Sequence, residues 1–162
     1  MEINIRALEP SDYESIAIIH STKGAFSGTL QLPYPSKEYW RKRLEEKGEN
    51  DHILVAESDN KVIGNILLKV NQNPRRRHVA YLAMAVHDEW QGKGVGKRLM
   101  TAAVELADKW LNLFRIELEV YSDNEVAIEL YKEFGFVKEG VANKYAFKNG
   151  EYQDAIYMAR LR

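Results

Sequence analysis

From His78 to Tyr121 the chain reads strand, helix, strand, and this order constrains its fold more than any other feature. "HVAYLAMAV" (78–86) is an apolar run suited to a strand buried on both faces. After "WQGKGVGKRLM" (90–100), Leu99, Ala103, Leu106 and Trp110 share one apolar stripe of a helix, and "RIELEVYS" (115–122) is again a strand. Two strands joined through a helix lie parallel in one sheet.

The flanks predict antiparallel pairing. "EINIRAL" alternates as a strand, "HILVAES" and "KVIGNILLKV" flank the hairpin signal Asp59-Asn60, and residues 136–161 read as two strands around "KNG". "PSDYESIAIIHS" predicts a helix capped by Ser11 or Asp12, with Ile16, Ile19 and His20 on one face. Ser36 is placed to cap "KEYWRKRLEEKG", and Gly135 to end "NEVAIELYKEF". The expected fold is a mixed α/β (α+β) sheet of about seven strands with about four helices. Its 162 residues suit a single domain over 1–162.

Composition excludes several functions. A net charge of −1 gives no general attraction to nucleic acid or anionic lipid, so neither partner is expected. The absence of cysteine removes thiolate metal sites and cysteine nucleophiles, and histidines 20, 52, 78 and 87 show no ligand spacing, so no metal is expected. "MEINIRALEP" has no signal-peptide core and no run reaches the ~20 apolar residues of a membrane span, so a cytoplasmic location is expected.

The glycines of "QGKGVG" need a reason, because glycine inside a helix costs roughly 1 kcal/mol against alanine. A helix N-terminus presents free N–H groups that attract phosphate, and glycine lets the anion come close. Amides around Gly92, Lys93, Gly94, Val95, Gly96 and Lys97 therefore form a candidate pyrophosphate cradle, with Lys93, Lys97 and Arg98 adding charge. The alternative is a glycine-rich turn without a ligand. The dinucleotide fingerprint G-x-G-x-x-G fails at Lys97, and the Walker pattern is one residue short.

Q-x-x-G-x-G does fit, at Gln91, Gly94 and Gly96. It resembles the acyl-CoA-binding motif of the GNAT superfamily of N-acetyltransferases. "SDNEVAIELYKEFGF" is similar to the family's downstream stretch, with Asn124, Ala127, Tyr131, Gly135 and Phe136 in place. "PRRRHVA" and "NGEYQDAIYMAR" resemble small bacterial members that acetylate free amino acids. The resemblance implies a splayed parallel strand pair, acetyl-CoA as co-substrate, and pantetheine pairing with the backbone of Met84, Ala85 and Val86. It implies that Asn124 hydrogen-bonds the cofactor and that Tyr131 protonates the departing thiolate. Family habit alone suggests a homodimer.

Amide formation needs a neutral amine. An α-amine near pKa 8 is about a fifth neutral near pH 7.4, a lysine-type amine only about 0.1%. On "RIELEVYS", Glu117 and Glu119 share a face. Glu119 matches the base of relatives acting on protein N-termini; Glu117, His78 and water alone are its rivals. Acceptor-side candidates are Tyr34, with Leu32 and Tyr39, in "TLQLPYPSKEYW", Arg76 in the triple-arginine turn, His78, and Tyr145, Tyr152 and Asp154 near the last hairpin. The expected reaction is acetylation of a small primary amine, first a free L-amino acid, by direct attack in a ternary complex. A protein N-terminus, a polyamine, or a non-catalytic acyl-CoA sensor are the alternatives.

Overall fold

The computed structural model of the chain describes residues 1–162. β1 (Asn4–Ala7) leads to α1 (Tyr13–Ser21), α2 (Lys23–Ser27) and α3 (Lys37–Glu45), followed by β2 (Asp51–Ser58), β3 (Lys61–Val70) and β4 (Val79–Val86). Then come α4 (Val95–Lys109), β5 (Arg115–Tyr121), α5 (Glu125–Glu133), β6 (Val137–Lys148) and β7 (Glu151–Leu161). All seven strands join one sheet in the order β1-β2-β3-β4-β5-β7-β6. β4 and β5 run parallel and the other pairs antiparallel. The fold is the expected mixed α/β sheet, with one helix more than expected, the short α2.

Turn chemistry sets the hairpins. Asp59 and Asn60 both take positive φ (49° and 60°), as do Asn149 and Gly150 (50° and 81°), the left-handed pair that suits a two-residue turn. The Ser36 hydroxyl caps α3 by accepting the Tyr39 N–H at 3.0 Å. Asp12 departs from expectation. Its carboxylate takes Arg6 at 2.8 Å and the Glu9 N–H at 2.7 Å, and makes no cap bond to α1. A 3-10 turn already runs into α1 there, and the β1 guanidinium claims the carboxylate.

Two hydrophobic layers sandwich the sheet. One gathers Leu99, Met100, Ala103, Ala107, Ile116, Leu118 and Phe136 under α4 and α5. The other packs Ile16, Ile19, Ala25 and Trp40 of α1–α3 on Val55 and Ala85. The predicted α4 stripe needs one correction: Ala107 is buried, whereas Trp110 lies beyond the helix end, 78% exposed.

One irregularity of the sheet matters most. β4 pairs with β5 at Val79↔Arg115, Ala80↔Ile116 and Tyr81↔Glu117, and the ladder stops there. β4 stays paired to β3 as far as Val86, and β5 to β7 as far as Tyr121. Each strand is thus held from its outer side while the inner edges diverge. This leaves about 16 Å of β4 edge without a strand partner.

Candidate active site

Unpaired backbone in a sheet interior is costly unless something satisfies it. The divergence opens a cleft of about 960 Å³ lined by Met84, Ala85 and Val86 of β4, the glycine loop, and Asn124 and Tyr131 of α5.

The three loop glycines serve different needs. Gly92 and Gly94 have φ of 71° and 81°, and a Cβ on either would meet nothing within 4 Å. Left-handed backbone, not crowding, requires glycine there, and the surface it leaves is open. At Gly96 a Cβ would stand 3.2 Å from Leu130 Cδ2 and 3.5 Å from Met84 Cε, so glycine there eases the close approach of α4 to α5 without being imposed by the backbone. Gly94 is also the N-cap of α4, so the helix's free amides and positive dipole end face this bare loop.

Side-chain charge contributes less than expected. Lys97 pairs with Glu133 at 2.8 Å, the Lys93 ammonium lies 5.1 Å over the Trp90 ring, and Arg98 turns away to the Ile3 carbonyl. Lys97 lines the cleft; Lys93 and Arg98 do not. Gln91 Nε2 donates to the Val86 carbonyl (3.2 Å) and to Asp88 Oδ1 (3.3 Å), stapling the loop to the end of β4. Asp88 Oδ2 also accepts the Gly24 N–H at 2.9 Å, which brings α2 over the cleft. Sequence reading missed this wall; the fit of Gly24 against Asp88, where a Cβ would come 2.5 Å from Oδ1, depends on a contact remote in sequence.

Asn124 Oδ1 caps α5 by accepting the Ala127 N–H at 3.2 Å. Tyr131, two helical turns on, borders this cleft and a second one of about 470 Å³ on the α1–α3 side. Met84, Glu119 and Val120 border both as well, so the two spaces meet at Glu119 and Tyr131. Burial pushes the Tyr131 phenol up to about 12, which keeps it protonated at neutral pH.

Glu119 Oε1 accepts a hydrogen bond from Tyr145 Oη at 3.0 Å, while Oε2 is buried without a partner. Glu117, its rival, is engaged by Arg76 and Arg115 at the closed end of the splay. The second cleft has aliphatic and aromatic walls, among them Ile53, Leu67, Tyr81 and Tyr121. Of the five buried side-chain polar atoms without partners, His20 Nδ1, Trp40 Nε1, Asn65 Oδ1 and Glu119 Oε2 belong to residues that line it. Such atoms are rare in folded proteins, and their gathering at one cleft suits a polar occupant.

Of the acceptor-side candidates, Tyr145 lines this second cleft, and Tyr34, Arg76 and His78 line neither. Tyr34 is 96% exposed on a left-handed turn, Arg76 is held by Glu117, and His78 precedes β4 at its closed end, its carbonyl taken by the Phe114 and Arg115 amides. Leu32 is exposed too, and Tyr39 Oη accepts from Arg43 at 2.8 Å. Thr29, Leu30 and Gln31 stand at the cleft instead.

The acetyltransferase (GNAT) family model matches residues 17–136. The chain is 45% identical over 161 residues to the L-amino acid N-acetyltransferase AaaT of Escherichia coli (strain K12), covering 99% of each. It is 31% identical over 158 residues to a spermidine N(1)-acetyltransferase of Vibrio cholerae, covering 94% of this chain and 89% of that one. A solved structure of spermidine N-acetyltransferase from Vibrio cholerae in complex with CoA and spermine is similar with a TM-score of 0.87 and 30% identity, over 98% of this chain and 95% of that one.

Proposed function

Because this chain belongs to the acetyltransferase (GNAT) family, we propose that it transfers the acetyl group of acetyl-CoA to the α-amine of a free L-amino acid, by direct attack in a ternary complex. The observation that carries the reading is the splay: two clefts border the gap where β4 and β5 part and share Met84, Glu119, Val120 and Tyr131. Residues 1–162 act in this as one domain.

The residues present fit acetyl-CoA. Open left-handed glycines at 92 and 94 expose amides to a pyrophosphate, and the free edge of Met84, Ala85 and Val86 suits the amides of pantetheine. Bound there, acetyl-CoA supplies an activated thioester. The Met84 N–H is the candidate donor to the oxyanion that develops at the acyl carbon.

Glu119 takes the proton of the incoming ammonium, directly or through a water, with Oε2 free to accept it. Tyr131 donates its phenolic proton to the departing sulfur. With the phenol near 12 and a thiol near 8.5 in water, that transfer is uphill by about 5 kcal/mol, more than an ordinary tyrosine gives. Burial beside Tyr131 raises the proton affinity of a thiolate there too and narrows the difference.

An amino acid suits the acceptor cleft better than a polyamine. Arg43, Lys47 and Lys69 line it together with Glu46, Asp51 and Glu119, a balance that matches a zwitterion and gives a polycation no net attraction. Incubation with acetyl-CoA and a panel of the twenty L-amino acids, spermidine and a peptide with a free N-terminus, read by mass spectrometry, tests this. N-acetyl amino acids are expected. Acetyl-spermidine or acetyl-peptide alone overturns the acceptor assignment, and binding of acetyl-CoA with no product at all favours an acyl-CoA sensor.

A further inference from the structure

The β6–β7 ladder breaks between Ala142↔Ala155 and Ala146↔Gln153, so that Asn143, Lys144 and Tyr145 stand opposite Asp154 alone. Lys144 takes the left-handed φ of 50°, and its N–H donates to Asp154 Oδ1 at 2.8 Å. Bulges of this kind re-aim the side chain beside them. Here that side chain is Tyr145, whose hydroxyl donates to Glu119 Oε1 at 3.0 Å and whose ring meets Tyr157 edge-on at 6.3 Å.

From this geometry we infer that Tyr145 is a positioning residue for Glu119, aimed by a β6 bulge that Asp154 pins. The inference rests on the reading of Glu119 as the base. A carboxylate on a strand can rotate, and only one of its oxygens has to face the amine. The phenol holds Oε1 through a charge-assisted hydrogen bond and leaves Oε2 as the one free, buried acceptor. Tyr145 lines the second cleft, and its hydroxyl is directed at the carboxylate.

The other groups facing Glu119 are phenols: Tyr81 on β4 and Tyr131 on α5, both pushed up by burial, and Tyr157 on β7, its cross-strand partner. Lys69 of β3, Asp51 of β2, Arg43 of α3 and Glu46 and Lys47 beyond it line the wider cleft. The Tyr145 hydroxyl reaches Glu119 Oε1 at 3.0 Å, and the Tyr81 phenol is the carboxylate's other polar neighbour. A donor to the ionised form favours it, so removing the donor favours the protonated form and costs base activity at the acid end.

The test measures CoA release from acetyl-CoA with the mixed L-amino acids. Tyr145→Phe is expected to lower kcat about tenfold with KM for acetyl-CoA unchanged, and to move the acidic limb of the rate profile up by about one pH unit. Asp154→Ala is expected to act in the same direction, while Asp154→Asn, which keeps an acceptor for the Lys144 N–H, retains about half of the activity or more. In a Glu119→Gln background, Tyr145→Phe is expected to cost less than about twofold, because the two act as a unit. If Glu119→Gln abolishes turnover but Tyr145→Phe alone changes neither kcat nor the acidic limb, the positioning role is refuted and the base stands. If Glu119→Gln is itself silent, the base assignment fails and the inference falls with it.

Discussion

The imidazole of His20 stacks on the indole of Trp40, with ring centroids 4.4 Å apart and planes 17° from parallel. Both rings are buried, and neither His20 Nδ1 nor Trp40 Nε1 has a hydrogen-bond partner. The Arg43 guanidinium lies 5.1 Å over the Trp40 ring. Burial first, and the charge of Arg43 second, push the imidazole down to about 4 from its ordinary 6.5. The stack is therefore neutral at working pH, and it joins α1 to α3 beside the second cleft.

That stack makes stability depend on pH. Between pH 6.5 and 4 the unfolded chain protonates His20 while the folded chain does not, so acidification draws the protein toward the unfolded state. The contribution is intact above pH 6.5 and declines as pH falls, reaching a loss of about 3 kcal/mol near pH 4. Urea unfolding at pH 7.5 and 4.5 is expected to show most of this difference in the native chain and much less in His20→Phe.

Tyr131→Phe keeps the ring that packs 5.8 Å from Phe136 and removes only the hydroxyl. Turnover is expected to fall by about 10²–10⁴, with affinity for acetyl-CoA changed by less than about threefold. Stopped-flow thiol release alongside equilibrium binding separates the two. Unchanged turnover would take Tyr131 out of the mechanism.

Gly94→Ala and Gly96→Ala should behave differently. At Gly94 the left-handed φ of 81° penalises any Cβ, and the added methyl occupies the open face of the cradle. A loss of about 1 kcal/mol in stability and a clear rise in KM for acetyl-CoA are expected. At Gly96 the backbone is ordinary helix, so alanine gains about 1 kcal/mol of propensity against its 3.2 Å approach to Leu130. Its melting temperature should stay close to that of the native chain. Thermal melts with steady-state kinetics on both variants check the contrast.

Arg160 ties three elements together at once. From β7 it grips Asp108 of α4 through two bonds of 2.7 and 2.8 Å, and donates to the Phe134 carbonyl at the end of α5 at 3.1 Å. Arg160→Leu strands a half-buried carboxylate and a helix-end carbonyl. Denaturant titration is expected to show a loss of about 2–3 kcal/mol.

Much of this was legible because it is local. Asp59-Asn60 and Asn149-Gly150 announce their hairpins through left-handed residues, Ser36 announces its helix, and Gly92 and Gly94 announce an exposed helix N-terminus. The paired stretches around Gly94 and Tyr131 carry the family's pattern in the sequence itself. What escaped is set by long-range contact. The bulge that aims Tyr145 exists only in the register with β7, and the anchoring of α2 depends on Asp88, far along the chain. Arg76 reads as a free cation until Glu117 is brought beside it, and Trp110 reads as core until the helix is seen to end at Lys109. Buried polar atoms left without partners, such as Asn65 Oδ1, have no signature in sequence.

The central claim is that the parted strands and the bare amides at residues 92–97 hold coenzyme A. Titration calorimetry of coenzyme A into the folded protein tests it most directly. Saturable one-to-one binding is predicted, markedly weakened in Gly94→Val while binding survives in Tyr131→Phe. Folded native protein that takes up neither coenzyme A nor acetyl-CoA would contradict the account.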